Sequence, residues 1–180
     1  HIEEYTNHGQ KASFIVGDDE RECGLKFCWF GFRYAAVSRN AEIVSCAVEH
    51  CDVAVTSAFS SSNSLLDWMY STYLRTQLDN MHCGIPSDCP HLEKRGYTGD
   101  GELVCECVMM MTDSEKFYRK WLGDIADCQD RVSGHVQYTA PYTRCGGGPG
   151  GWGCAIAEVP YTYYRMYGEK SVLEDFLPRT

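Results

Sequence analysis

The spacing of apolar residues changes near Ser60, and this change limits the fold more than any other feature of the chain. Upstream, residues 26–34, 42–48 and 52–56 are rich in aromatic and β-branched side chains, which suit the half-buried face of a sheet. Downstream, apolar residues recur as they do on one face of a helix, at Leu65, Leu66, Met69, Tyr70, Tyr73 and Leu74. The pattern predicts strands, with a turn at residues 38–40, followed by helices.

The predicted helical part starts with an N-cap at Ser62 or Asn63. A second helix opens after Asp100 and runs through Met111. A third begins at residues 112–115, which match the pattern of a capping box. Its side chains should form one apolar stripe, made of Phe117, Trp121, Leu122 and Ile125.

A glycine-rich run at residues 145–153 predicts a loop, because such glycine density suits no regular element. The run lacks the Lys-Ser/Thr that would make it a phosphate-binding loop. The helix after it is expected to bend or restart at Pro160 and to end at Gly168. A short last helix is predicted from near Ser171.

These elements divide the chain into two parts. Residues 1–59 are interpreted as the end of a β-domain, and residues 60–180 as the first helices of an all-α domain. With 44% hydrophobic residues, the 180-residue chain can bury a core. The first residue is not Met and no targeting signal is readable, so we expect an excerpt of a longer protein.

Charge and composition exclude several classes of partner. The net charge of -9 argues against a nucleic-acid partner, since phosphate binding requires clustered Lys and Arg. No apolar run is long enough to predict a membrane span. The 11 cysteines do not suggest a disulfide scaffold in a chain this long and apolar. Cys83 and Cys89, each beside or near a His, lack C-x-x-C spacing, so no metal and no cofactor is predicted.

The densest chemistry lies in residues 88–100, where three acids, a His, two bases and a Tyr are punctuated by Pro90, Gly96 and Gly99. Such a segment is typical of a loop between two helices, and loops held by rigid elements are where catalytic groups concentrate. Glycoside cleavage requires two carboxyl groups, one of them protonated. Asp88 and Asp100 could raise the pKa of a nearby acid or accept hydrogen bonds from sugar hydroxyls.

A purely structural interpretation of the same residues is favoured by composition alone. Asp100 suits an N-cap and Asp88 a turn, while Glu93 with Lys94 and Arg95 could form a solvated charge run. Carboxylates cluster for structural reasons as well as functional ones.

The motifs nevertheless resemble those of the inverting α-L-rhamnosidases of glycoside hydrolase family seventy-eight. The similarity lies in residues 85–90, in Glu93-Lys94 and in residues 96–101. It continues through residues 117–122, Asp124 and Gln129, and through Gly151-Trp152-Gly153, Pro160, residues 167–170 and Leu173-Glu174. Residues 31–34 resemble the last part of the β-domain that precedes the family's barrel.

The resemblance implies a mainly α fold, made of the first helices of an (α/α)6 barrel and preceded by the last strands of a β-sandwich domain. It implies that Glu93 is the general acid and that Asp88 and Asp100 hold the rhamnose hydroxyls. Tyr97 stands where many members have Trp, and Trp152 matches an aromatic residue of the sugar pocket. A core role under a loop is an equally good interpretation of Trp152.

Three features depart from the family pattern. Leu92 stands where Arg is common, Cys154 stands where many members have Asp, and no residue here matches the motif of the general base. We therefore expect the remainder of the barrel to complete the site, and the isolated chain not to cleave a rhamnose-containing glycoside or polysaccharide. The alternative is a non-catalytic rhamnose-binding protein. The family's substrates imply a periplasmic or extracellular location.

Overall fold

The structure is a computed structural model that describes residues 2–7, 9–18, 22–38, 41–145 and 150–176. Two residues of the predicted turn, Arg39 and Asn40, lie outside this part of the chain. So do residues 146–149 of the predicted glycine-rich loop.

An antiparallel hairpin opens the described chain. Strands β1 (Ile2–Asn7) and β2 (Gln10–Ile15) pair so that Ile2 faces Ile15 and Asn7 faces Gln10. Gly9 has φ of 81° in the connection, a conformation that glycine adopts without a steric penalty. The sequence patterns did not predict this hairpin.

The strands predicted at residues 26–34 and 42–48 are wrong, because both segments lack regular secondary structure. Among the described residues no strand lies beside them to pair with their backbone N–H and C=O groups, and β-propensity cannot replace a partner. Several of their apolar side chains stay in water, with Phe27 98% and Val48 82% exposed. Of residues 52–56 only β3 (Ala54–Val55) is a strand, and it pairs with β6 (Thr112–Asp113).

Helix α1 (Ser64–Asp79) starts as predicted. Asn63 is its N-cap, and the Asn63 side-chain oxygen accepts a hydrogen bond of 3.0 Å from the backbone N–H of Leu65. The apolar face of α1 is uncovered, however, since Leu65 is 57%, Trp68 60% and Met69 53% exposed. The helix therefore has a face without a partner in the described chain.

A short hairpin leads from α1 into the segment of residues 88–100 that carries the three acids, here called the acidic segment. Strands β4 (Met81–His82) and β5 (Ile85–Pro86) pair across Cys83 and Gly84, whose φ values are 55° and 70°. The acidic segment then runs to helix α2 (Thr98–Met111), so it lies between two helices as predicted.

Helix α2 starts earlier than predicted, and the N-cap interpretation of Asp100 is wrong. Tyr97 occupies the cap position and Asp100 lies inside the first turn. Before helix α3 (Glu115–Cys128) the predicted capping box does not form, because the N-cap residue Ser114 makes no side-chain cap bond. The Thr112 hydroxyl instead donates to the backbone oxygen of Val108 at 2.8 Å.

The apolar stripe predicted for α3 is confirmed, with every member buried: Phe117, Trp121, Leu122 and Ile125. The part of the glycine-rich run that is described ends in a 3₁₀ turn, Gly151–Cys154. Helix α4 (Ala155–Tyr167) runs through Pro160 without a break, so the predicted restart is wrong, and left-handed Gly168 ends it as predicted. Helix α5 (Lys170–Phe176) follows.

The core lies between α2, α3, α4 and α5, and its residue Trp121 contacts the start of α2. Fully buried Trp121 donates its indole N–H to the backbone oxygen of Ala140 at 3.0 Å. Its ring also packs against Gly101 so closely that a Cβ there would lie 2.3 Å away. The start of α2 is thus fixed by close packing. Among the described residues, no helix is both long and apolar enough to cross a membrane.

Candidate active site

Asp88 closes the acidic segment into a loop with Arg95. The Asp88 N–H donates to the Arg95 oxygen at 3.0 Å, and the Arg95 N–H donates to Oδ1 of Asp88 at 2.9 Å. The Cys89 thiol donates to the other carboxylate oxygen at 3.1 Å. These bonds orient the Asp88 carboxylate, and they leave further lone pairs available to a ligand.

Glu93 lies on this loop and is held by one hydrogen bond and one ion pair. The Tyr97 hydroxyl donates to Oε2 of Glu93 at 2.7 Å, and the Arg95 guanidinium lies 3.6 Å from the same oxygen. The Glu93 side chain is 50% exposed, so it faces open space rather than the core.

Cys145 extends the network around Glu93. Its sulfur accepts a hydrogen bond of 2.5 Å from Arg95 and lies 3.4 Å from the Tyr97 hydroxyl. The hydrogen bonds of Tyr97 to Cys145 and Glu93 raise its pKa well above the usual value. The phenol is protonated at neutral pH and can donate to Glu93.

Asp100 interacts electrostatically with the other two acids. Partial burial raises the pKa of Asp100, a hydrogen bond from its own backbone N–H lowers it, and the charges of Asp88 and Glu93 raise it further. The side chain retains contact with solvent at the first turn of α2. The three predicted acids are thus grouped closely enough to influence one another.

Trp152 lies against the start of α2. A Cβ on Gly99 would lie 2.8 Å from the Trp152 ring, so only a glycine allows this approach. Tyr138 packs edge-on against the indole, with ring centroids 5.8 Å apart. Trp152 remains 43% exposed, so it is not a core residue under a loop.

A cavity of about 560 Å³ joins three of the predicted residues, since Asp88, Asp100 and Trp152 all line it. Glu93 and Tyr97 are not among its lining residues, but they are tied to Asp88 through Arg95. Fixed carboxylates beside an exposed indole can bind hydroxyl groups and the apolar face of a sugar ring. Among the described residues, no group of three or more His, Cys, Asp or Glu could hold a metal ion.

The structure gives Arg95 and Cys145 contacts around Glu93 that the sequence patterns did not predict. Leu92 is 53% exposed, and the guanidinium beside Glu93 comes instead from Arg95. The only available signal was the charge run itself, which contains both Lys94 and Arg95. Cys145 lies 50 residues from Arg95 along the chain, and no local pattern links the two. Cys154 is exposed at the end of the 3₁₀ turn.

Two of the predicted carboxylates and an exposed indole thus line one cavity in a mainly helical fold, and sequence comparison identifies the class of domain. The bacterial alpha-L-rhamnosidase 6 hairpin glycosidase domain matches residues 54–180. The class is thus the six-hairpin glycosidase domain. It belongs to the bacterial α-L-rhamnosidase family, which confirms the predicted family and the mainly α fold.

Curated relatives agree with this assignment. An alpha-L-rhamnosidase of Formosa agariphila is 29% identical over 177 residues, which cover 90% of this chain and 18% of the relative. An alpha-L-rhamnosidase of Streptomyces avermitilis is 29% identical over 170 residues, covering 91% of this chain and 16% of the relative. The chain thus spans less than a fifth of the length of these relatives.

Solved structures show the same similarity in three dimensions. The Streptomyces avermitilis alpha-L-rhamnosidase complexed with L-rhamnose superposes with a TM-score of 0.69 at 32% identity, over 72% of this chain and 13% of that one. The alpha-L-rhamnosidase of Dictyoglumus thermophilum gives a TM-score of 0.67 at 32% identity, over 72% of this chain and 15% of that one.

Proposed function

We propose that this chain is the opening part of the catalytic domain of an α-L-rhamnosidase that removes terminal α-L-rhamnose from glycosides or polysaccharides. The observation that carries the proposal is that Asp88 and Asp100 line one cavity while Arg95 links Glu93 to Asp88, within the residues that match the family. The remaining helices of an (α/α)6 barrel would come from elsewhere in the protein.

In this proposal Glu93 is the general acid that protonates the leaving oxygen. Its half-exposed carboxyl can reach a substrate, while the Tyr97 hydroxyl and Arg95 fix its orientation. Asp88 and Asp100 accept hydrogen bonds from the rhamnose hydroxyls. Trp152 and Tyr97 offer aromatic surface to the apolar side of the ring.

The proposed reaction proceeds with inversion, which requires a second carboxylate to activate water on the opposite face of the sugar. In inverting glycosidases the two carboxyl groups lie about 6.5–9.5 Å apart, which leaves room for that water. No residue of this chain matches the family's base motif, so we assign the base to a later part of the barrel.

Hydrolysis of aryl α-L-rhamnosides by the complete protein tests the proposal. Glu93→Gln should lower kcat by about 10²–10⁴-fold, the usual contribution of a general acid. The loss should be far smaller for a dinitrophenyl leaving group, which departs without protonation. Glu42→Gln, an exposed acid outside the matched residues, is the control and should leave the rate unchanged.

The alternative function is rhamnose binding without cleavage. The observations in its favour are Leu92 and Cys154, which replace the Arg and Asp common in the family. An intact protein that binds rhamnose but releases none from any aryl rhamnoside would establish this alternative and refute the enzyme.

A further inference from the structure

Lys94 has a positive φ angle next to the proposed general acid. It follows Glu93 directly, and its φ is 54°, in the left-handed region that residues with a Cβ rarely adopt. Such residues persist only where their surroundings hold them, and they are enriched at functional sites. The contacts that hold Lys94 are therefore informative about the site.

The Lys94 side chain is anchored in the N-terminal part of the chain. Its ammonium donates to the backbone oxygen of Trp29 and to Oε1 of Gln10, both at 2.5 Å. Gln10 in turn donates to the same Trp29 oxygen at 3.0 Å. The ammonium also lies 4.7 Å from the Trp29 ring centroid and 5.7 Å from that of Phe30, within range of a cation–π interaction.

The same N-terminal segment touches the site region at two further points. The Trp29 ring stacks on His82 with centroids 4.2 Å apart and planes 15° apart. Gly31 packs so closely on the acidic segment that a Cβ on Gly31 would lie 2.8 Å from the backbone oxygen of Pro90. Residues 29–31 thus form a strap across the loop, although they precede residues 54–180, which match the family domain.

Movement at Lys94 would displace groups on both sides of it. Glu93 precedes it, and Arg95, which follows, is joined to Asp88 by both its N–H and its carbonyl oxygen. We propose that Lys94 is a positioning residue that fixes Glu93 through Gln10 and Trp29, so that the N-terminal strap forms part of the working active site. This inference rests on the proposed function of Glu93.

Substitutions in the complete protein test this role. Lys94→Met should lower kcat at least about tenfold with little change in KM, since a misplaced catalytic group costs rate rather than binding. The loss should be greater for a sugar or alkyl leaving group than for a dinitrophenyl one. Lys94→Arg keeps the charge and the donors, so it should recover part of the rate. Lys170→Met, an exposed lysine of α5, is the matched control.

A second variant protects the test against simple misfolding. Gln10→Leu leaves Lys94 in place but removes one of its anchors, so it should produce the same leaving-group pattern more weakly. If Lys94 acts through this anchor, the double variant should lose no more than Lys94→Met alone. Thermal midpoints and circular dichroism of each variant establish that the fold is retained.

Several outcomes would overturn the inference. Wild-type rates in folded Lys94→Met would do so, as would an equal loss on every leaving group, which indicates a general structural defect. If the wild type is active, Glu93→Gln is impaired and Lys94→Met is unaffected, the positioning role alone is refuted. An inactive wild type would refute the proposed function and this inference with it.

Discussion

At the scale of single residues, the charges of Asp88 and Glu93 affect the protonation of Asp100. Asp100 has a raised pKa because it is partly buried and because Asp88 and Glu93 add negative charge nearby. An ionised carboxylate accepts hydrogen bonds strongly, whereas a protonated one accepts fewer. Protonation of Asp100 should therefore weaken its hydrogen bonds to sugar hydroxyls.

On acidification, the affinity of the complete protein for rhamnose should begin to fall at a higher pH than it would if Asp100 had an ordinary pKa. As pH decreases through the raised pKa of Asp100, the carboxyl is protonated and loses acceptor capacity. Asp100→Asn should bind more weakly at neutral pH, and its acid-side loss should move to lower pH. Calorimetric titrations with L-rhamnose across the acidic range measure this. An unchanged pH dependence in Asp100→Asn would contradict the assignment of Asp100 to sugar binding.

The sequence predicted the identity of the grouped residues better than their contacts. Asp88, Glu93 and Asp100 lie in one short segment, so their proximity follows from chain connectivity and from the helices on either side. Arg95–Cys145 and Lys94–Gln10 join residues that are far apart along the chain. Such pairs depend on tertiary packing, which no local pattern encodes.

At the scale of secondary-structure elements, the contact between the 3₁₀ turn and α2 sets the position of the indole. Gly99 lies in the first turn of α2, and the Trp152 ring occupies the space that a Cβ on Gly99 would need. The helix start and the aromatic wall of the cavity are therefore coupled.

Gly99→Ala should displace Trp152, because the added Cβ would lie 2.8 Å from the ring. We expect KM for aryl rhamnosides to rise about two- to tenfold, because one well-placed ring contact is worth about 0.5–1.5 kcal/mol. The control is Gly123→Ala in α3, where nothing lies within 4 Å of the new Cβ. That variant should keep KM and stabilise the protein by about 0.5–1 kcal/mol. Equal KM values for the two variants would contradict the proposed role of Trp152.

Helices were predictable and most strands were not, for one physical reason. The bonds of a helix are local, so the start of α1 at Asn63 and the apolar stripe of α3 follow from spacing alone. A strand requires a partner, and the aromatic residues 26–34 have none in the described chain. Some of their side chains instead contact the acidic segment, since the Trp29 and Phe30 rings lie under the ammonium of Lys94.

At the scale of the whole molecule, several large apolar side chains on α1 and α2 are left exposed by the described residues. On α1 the exposed side chains include Leu65 and Trp68, and on α2 Leu103 is 83% and Met110 62% exposed. Where such side chains lie together, they mark a surface for another part of the protein. It fits the proposal that further helices of the barrel pack against α1 and α2.

The isolated 180-residue chain should release no product from an aryl α-L-rhamnoside, while the complete protein should turn over. In the proposed mechanism the base lies outside this chain, and without a base water is not activated. The isolated chain should also bind an apolar dye such as ANS strongly through its uncovered helix faces. Product formation by the chain alone, after purification from any full-length enzyme, would show that the site is already complete.

The most direct measurement is a crystal structure of the complete protein with Glu93→Gln and a bound rhamnoside. Residue 93 should place its side chain within about 3 Å of the glycosidic oxygen. Asp88 and Asp100 should bond the ring hydroxyls, and Trp152 should contact the apolar face. A rhamnose unit bound away from this cavity, with residue 93 facing bulk water, would contradict the account.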